Sequence, residues 1–239
     1  MWRSTAGVSS SVNGAFIVFE GSEGGGKTVQ ARRLAASLEA AGHSVVLTRE
    51  PGGTAVGESI RAVLLGHHDY GILAETEALL MSAARAQHVR EVIGPARANG
   101  QVVLCDRFVD STYAYQGGGH RLRMEALTAI QQFATEGLEP DLKLLLDLPV
   151  EIGLRRRHAD PDSLNRIDQA DLEFHQRVRE MYIRLAREHP ERWSVIDATG
   201  TPDDVARAIE TAVRLRLGLQ SRVAPAGGRH PAASEMPSA

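Results

Sequence analysis

The run Gly21-Ser22-Glu23-Gly24-Gly25-Gly26-Lys27-Thr28 constrains this chain more than any other stretch in it. It matches G-x-x-x-x-G-K-[ST], follows the apolar segment Phe16-Ile17-Val18-Phe19 and precedes a helix-like segment, so a strand is expected to turn through a phosphate-binding loop into a helix. Glycines at 21, 24, 25 and 26 permit positive φ and close backbone approach, letting successive N–H groups and the helix N-terminus converge on phosphate oxygens. Lys27 supplies a compact cation for the β and γ phosphates of a nucleotide, and Thr28 a hydroxyl for Mg²⁺, an ion that keeps most of its ligands as water and nucleotide oxygens. A flexible glycine-rich turn with no ligand would explain neither residue. The lysine is the more telling because the 27 basic residues include only two, Lys27 and Lys143.

At 239 residues, with 43% hydrophobic and 24% charged side chains, the chain can bury one substantial core. A formal charge of −3 excludes the strongly basic balance of a general nucleic-acid binder and points to a small nucleotide instead. The single cysteine, Cys105, can form no intramolecular disulfide, and no Cys/His cluster has zinc-like spacing; a reducing compartment, the cytoplasm, is expected. No stretch approaches the ~18 apolar residues of a membrane span, so no membrane association is expected. Residues 1–13 and 221–239, rich in Ser, Gly, Ala and Pro, read as a disordered leader and tail around one domain at 14–220.

Short apolar runs alternate with longer helix-like segments: Ala15 to Glu20, Ser44 to Thr48, Gln101 to Cys105, Leu142 to Asp147 and Trp193 to Ile196. Five strands separated by helices predict an α/β fold on a parallel sheet. Thr76 to Ala98 reads as one long helix, and Pro149 suits the first turn of another. The polar, Pro-broken stretch His158 to Asn165, with Arg155, Arg156, Arg157 and Arg166 around it, reads as a lid over phosphates at about 155–167.

Asp106 ends the buried run Val102-Val103-Leu104-Cys105, where open α/β sheets collect their ligands, and is a candidate Mg²⁺ carboxylate, directly or one shell out. Asp147 ends a similar strand, but the Pro149 helix follows, so capping or turn formation accounts for it. Arg49, Arg61, Arg85 and Arg107 fall near strand ends or on adjacent helices, where an anionic acceptor could employ them.

Glu20 to Thr28, Thr48-Arg49-Glu50-Pro51-Gly52-Gly53-Thr54, and Asp106-Arg107-Phe108 continuing through Ser111 to Ala114-Tyr115-Gln116-Gly117 together resemble bacterial thymidylate kinase, in order, over residues 15 to about 215. The resemblance implies a doubly wound five-stranded sheet of the nucleoside-monophosphate-kinase type, with helices on both faces and a lid. It implies γ-phosphoryl transfer from ATP to dTMP in dTTP synthesis, and a homodimer packed through helices. By the same resemblance Arg61 and Arg107 hold the dTMP phosphate and Arg85 donates to a thymine carbonyl. Thr112 and Gln116 lie at the base edge or sugar, Met81 faces the ring, and Tyr115 crowds a ribose 2′-hydroxyl; core packing is the competing account of Met81 and Tyr115. Glu23 and Glu50 match acids near the acceptor sugar, phosphate or metal.

Phe108 stands where the family usually has Tyr or His, Val29 replaces a common Thr, and Ala159 to Leu164 lack the usual basic residue. Since the phosphate loop carries no arginine, the resemblance implies that transition-state charge comes from lid arginines, here Arg156 and Arg166. The nearest rival is a P-loop kinase for another nucleoside monophosphate or for a nucleoside, the latter pressing Glu20, Glu50 or Asp106 into service as a base. A GTPase switch is excluded, because it needs an N-K-x-D motif that neither lysine permits, and a partner-binding ATPase would not explain Arg85 or Gln116.

Overall fold

The computed structural model describes residues 14–66, 71–159 and 170–220. The expected leader, tail and most of the expected lid, including Arg166, lie outside them. Five strands, β1 (Phe16–Glu20), β2 (Val45–Arg49), β3 (Val102–Asp106), β4 (Leu142–Asp147) and β5 (Trp193–Asp197), form one sheet in the order β2-β3-β1-β4-β5, every pairing parallel. Each strand begins and ends within one residue of its sequence expectation.

A parallel sheet must be covered on both faces, and the alternation along β1 shows how. Ile17 and Phe19 join Leu104, Leu144 and Leu146 beneath α1 (Lys27–Ala40) and α9 (Pro202–Leu217). Phe16 and Val18 join Val103 and Cys105 on the opposite face, under Val89, Ile93, Ala96 and Phe108. That second face is completed by α8 (Leu172–Glu188), whose Phe174, Val178, Met181 and Tyr182 pack with Leu145 and Tyr115. Helix starts follow local chemistry: Thr54 Oγ1 accepts the Gly57 N–H at the head of α2 (Ala55–Leu65), Asp171 does the same for Phe174 in α8, and Thr201 and Asp204 form a reciprocal capping box on α9.

The expected helix from Thr76 to Ala98 is helical throughout, yet it is not one α-helix. α3 (Ala74–His88) gives way to a π segment, Val89–Ile93, and then to α4 (Gly94–Ala98). Pro95 has no N–H for the carbonyl of Glu91, and the widened turn lies over that interrupted ladder. A second π segment, Tyr113–Gly119, follows the short α5 (Val109–Thr112) and packs on α8. α6 (Met124–Thr135) and α7 (Val150–His158) complete the helices of the described residues.

One further expectation changes, and the second lysine finds its place. Asp147 does not cap α7, whose first residue follows Pro149 with no side-chain cap; its two oxygens accept from Arg179 Nε and Nη2 at 2.8 and 2.9 Å. Lys143, the other lysine, is structural: its Nζ lies 2.8 Å from Asp110 Oδ2, mostly buried, and over the Trp193 ring.

Candidate active site

β1 lies at the centre of the sheet, hydrogen-bonded to β3 on one side and β4 on the other; the crevice beyond the carboxyl ends of such strands is where open α/β sheets bind ligands. A cleft of about 550 Å³ opens there, and it is walled by the phosphate loop, the ends of β2 and β3, α2, α3, the second π segment and α7.

The loop between β1 and α1 has positive φ at Gly21, Gly24 and Gly26, but not at Gly25. Gly24 also rests on α7: a Cβ there would sit 2.1 Å from the Gly153 carbonyl oxygen. Lys27 is buried and its Nζ donates to the carbonyls of Gly21 (3.0 Å) and Ser22 (2.7 Å). Burial, and then the charge of Arg107, lower its pKa to about 8. The Thr28 hydroxyl donates to Asp106 Oδ2, so both metal candidates meet at one edge of the cleft. No group of three or more metal-competent His, Cys, Asp or Glu side chains occurs among the described residues. One hydroxyl and one carboxylate suit Mg²⁺, whose remaining positions go to water and nucleotide oxygens.

Arg107 follows β3 directly and holds φ 74°, a left-handed conformation unusual for a residue with a side chain. The turn carries its guanidinium back under the phosphate loop. Nη1 donates to Gly21 O, Ser111 Oγ and the Tyr182 hydroxyl, each at 3.2 Å; Nη2 donates to Glu23 Oε1 and the Tyr115 hydroxyl, both at 3.0 Å. Tyr115 in turn donates to Glu23, and its ring lies under the guanidinium. Arg61, on α2, reaches the same cleft and donates to Pro51 O at 2.9 Å. Arg49 lines the cleft but is paired with Glu58 on the surface.

Deeper in the cleft, Arg85 is 1% exposed. Nε donates to Glu50 Oε2 (2.7 Å), Nη1 to Thr112 Oγ1 (3.0 Å) and Gln131 Oε1, and Nη2 to Phe108 O (2.8 Å), which leaves one of its five N–H groups uncommitted among the described residues. Glu50 gives its other oxygen to His88 Nδ1, so this acid buttresses Arg85 with both oxygens engaged. Met81, Thr112 and Gln116 line the cleft beside Arg85. Arg156 lines it from α7, but its donors go to the carbonyls of Ala198 and Thr199 after β5.

The structure thus brings together Gly24, Gly26, Lys27, Thr28, Glu23, Glu50, Arg61, Met81, Arg85, Asp106, Arg107, Thr112, Tyr115, Gln116 and Arg156. Behind them lie three buried residues, of which Tyr182 and His175 belong to no motif in the sequence. Glu20 accepts from Phe108 N, Ser111 Oγ and the Tyr182 hydroxyl; Tyr182 and His175, two helical turns apart on α8, face the phosphate-loop acids.

A family model for thymidylate kinase matches residues 19–209. The thymidylate kinase of Thermomicrobium roseum is 52% identical over 83% of this chain and 93% of its own length. That of Pseudomonas syringae pv. syringae is 49% identical over 87% and 99%. The crystal structure of thymidylate kinase from Ehrlichia chaffeensis superposes with a TM-score of 0.69 at 31% identity, over 85% of this chain and 98% of that one. The family match over residues 19–209 and sequence likeness over nearly the whole length of these relatives, with a shared fold, establish that the chain belongs to the thymidylate kinase family.

Proposed function

We propose that the protein transfers the γ-phosphoryl group of ATP to dTMP, giving ADP and dTDP. The observation that carries this reading is the pairing, in one cleft, of a phosphate loop with a second set of anion-binding and base-reading groups. Gly21 to Thr28 take the donor phosphates, with Ser22 and Gly25 contributing backbone to the same loop. Arg61 and Arg107 take the acceptor phosphate, so two mutually repelling anions are held within reacting distance. The spare N–H of Arg85 suits a base carbonyl, Gln116 and Thr112 suit the base edge, Met81 packs on the ring, and Tyr115 with Glu23 closes the sugar side against a 2′-hydroxyl.

The acceptor phosphate, with a second pKa of ~6, is already ionised at neutral pH, so no side chain has to remove a proton from it. The chain contributes position and positive charge: Lys27 and Arg107 at the transferring group, and Arg156 from α7. Thr28 and Asp106 would hold Mg²⁺, which would supply charge neutralisation at the donor phosphates. The active form is a homodimer, with neither nucleic acid nor membrane as a partner.

The test is a coupled ADP-release assay with ATP and Mg²⁺, offering dTMP, dUMP, dCMP, dGMP, AMP and thymidine in parallel. Preference for dTMP, abolished by Lys27→Ala and weakened by Arg85→Ala, is expected. Turnover led by another acceptor overturns the base assignments, and hydrolysis independent of any acceptor overturns the kinase reading.

A further inference from the structure

Gln116 lies in the second π segment, is 1% exposed and lines the cleft beside Arg85 and Met81. Its Nε2 donates to Glu77 Oε1 at 2.6 Å. Its Oε1 is buried and has no partner among the described residues. An unpaired buried acceptor is costly, so an unmet oxygen beside a binding cleft calls for a donor from the ligand.

A primary amide has nearly the same shape in its two flipped orientations, which exchange a donor for an acceptor. The neighbour decides between them. Glu77 is 1% exposed and sits in the first turn of α3, where the helix dipole favours a carboxylate's charge. An ionised carboxylate only accepts, so the NH₂ of Gln116 must face it and the carbonyl oxygen must face away. His120 Nε2 lies 3.7 Å from the same Glu77 oxygen. Arg85, which has donors alone, needs no such fixing; Gln116 does.

We infer that Glu77 is a specificity-determining positioning residue: it locks the Gln116 amide in the orientation that shows the base an acceptor, and so selects bases whose ring nitrogen carries a hydrogen. The inference rests on the base-edge role proposed above for Gln116. Thymine and uracil carry N3–H and a carbonyl at position 4, which match a fixed acceptor from Gln116 and a donor from Arg85. Cytosine presents a bare N3 and an amino group at the same two places. It would set acceptor against acceptor and donor against donor, leaving buried groups unpaired, the arrangement that gives polar sites their strongest discrimination.

The experiment compares kcat/KM for dUMP and dCMP, which lack the 5-methyl group and differ only at the edge in question, in the wild type, Glu77→Gln, and the exchanged pair Glu77→Gln/Gln116→Glu. Glu77→Gln keeps shape but can accept or donate, releasing the amide at 116 to turn over. The dUMP-to-dCMP ratio is expected to fall about tenfold or more, equivalent to ~1.4 kcal/mol. In the exchanged pair the carboxylate at 116 is an obligate acceptor held by an amide at 77, and the ratio is expected to return toward the wild-type value. A packing role alone would lower kcat/KM for both acceptors together. An unchanged ratio in Glu77→Gln overturns the inference, as does an exchanged pair that stays relaxed. Should the single variant fail to fold, as read by its thermal melt, the exchanged pair decides by itself. If the wild type shows no preference for dTMP or dUMP over dCMP, the proposed function falls first, a different result from a preference that survives at position 77.

Discussion

Glu20 and Glu23 are three residues apart and their surroundings drive them in opposite directions. Burial, and then the charge of Asp110, raise Glu20 to about 7, against hydrogen bonds from Ser111 and Tyr182 and the charge of Arg107. Glu23 is also penalised by burial, but His175, Arg107, Lys27 and Tyr115 outweigh it and hold the carboxyl well below its usual range. The signs follow by linkage. Between about 4.5 and about 7 the folded chain holds a proton on Glu20 that the unfolded chain releases, so this group's contribution to stability declines as pH rises through that window. Glu23 contributes stability above the usual carboxylate range and loses it only in acid. Replacing Glu20 by Gln should therefore raise the melting temperature relative to wild type by a margin that grows from pH 5 to pH 8; a margin independent of pH would contradict the shift. Lys27, lowered to about 8 by burial and then Arg107, should take up protons when polyanionic ATP binds near pH 8. Calorimetry in buffers of different ionisation enthalpy should show that uptake, and Lys27→Ala should lose it. Arg107→Ala removes both charge and positioning at the acceptor phosphate, and its kcat is expected to fall by ~10³-fold or more.

Between elements, the phosphate loop is shaped by a helix far away in sequence. Gly24 and Gly153 pack backbone to backbone: a Cβ on Gly153 would lie 2.4 Å from the Glu23 carbonyl oxygen, so α7 can approach the loop only through a residue without a side chain. Gly153→Ala, although outside the cleft lining, should displace the loop, raise KM for ATP and cost about 1–3 kcal/mol in denaturant unfolding. An unchanged KM would mean that the loop keeps its shape without α7. The π segment at Val89–Ile93 makes a related point. Apolar spacing at mixed three and four suits a continuous helix, and the insertion follows from backbone hydrogen bonding near Pro95 instead of from the pattern of side chains.

At the scale of the molecule, α2, α3 and α6 are neighbours, and they expose Val63, Leu79 and Phe133, the last at 80%. Large exposed apolar side chains on adjoining helices are what the proposed homodimer would bury. Phe133→Glu should leave the melting curve of the subunit nearly unchanged, since that ring touches little within it, while sedimentation velocity shifts from dimer to monomer. A dimer that persists would move the interface elsewhere.

Local chemistry was enough for the sheet, the phosphate loop and the family. Strand ends, helix caps and the glycine-lysine-threonine run are short-range signals, and the segments around Thr48 and Asp106 carry the resemblance in the order of the chain. Contacts between distant residues decided the rest. Whether Asp147 capped or paired depended on where Arg179 lay, and Lys143 proved structural only once Asp110 was beside it. Glu50 emerged as the buttress of Arg85, and Glu77, His175 and Tyr182 entered the site without any motif to announce them. A hydrogen bond is set by geometry within a few tenths of an ångström, and residue spacing along the chain says nothing about which buried donor will meet which acceptor across the fold.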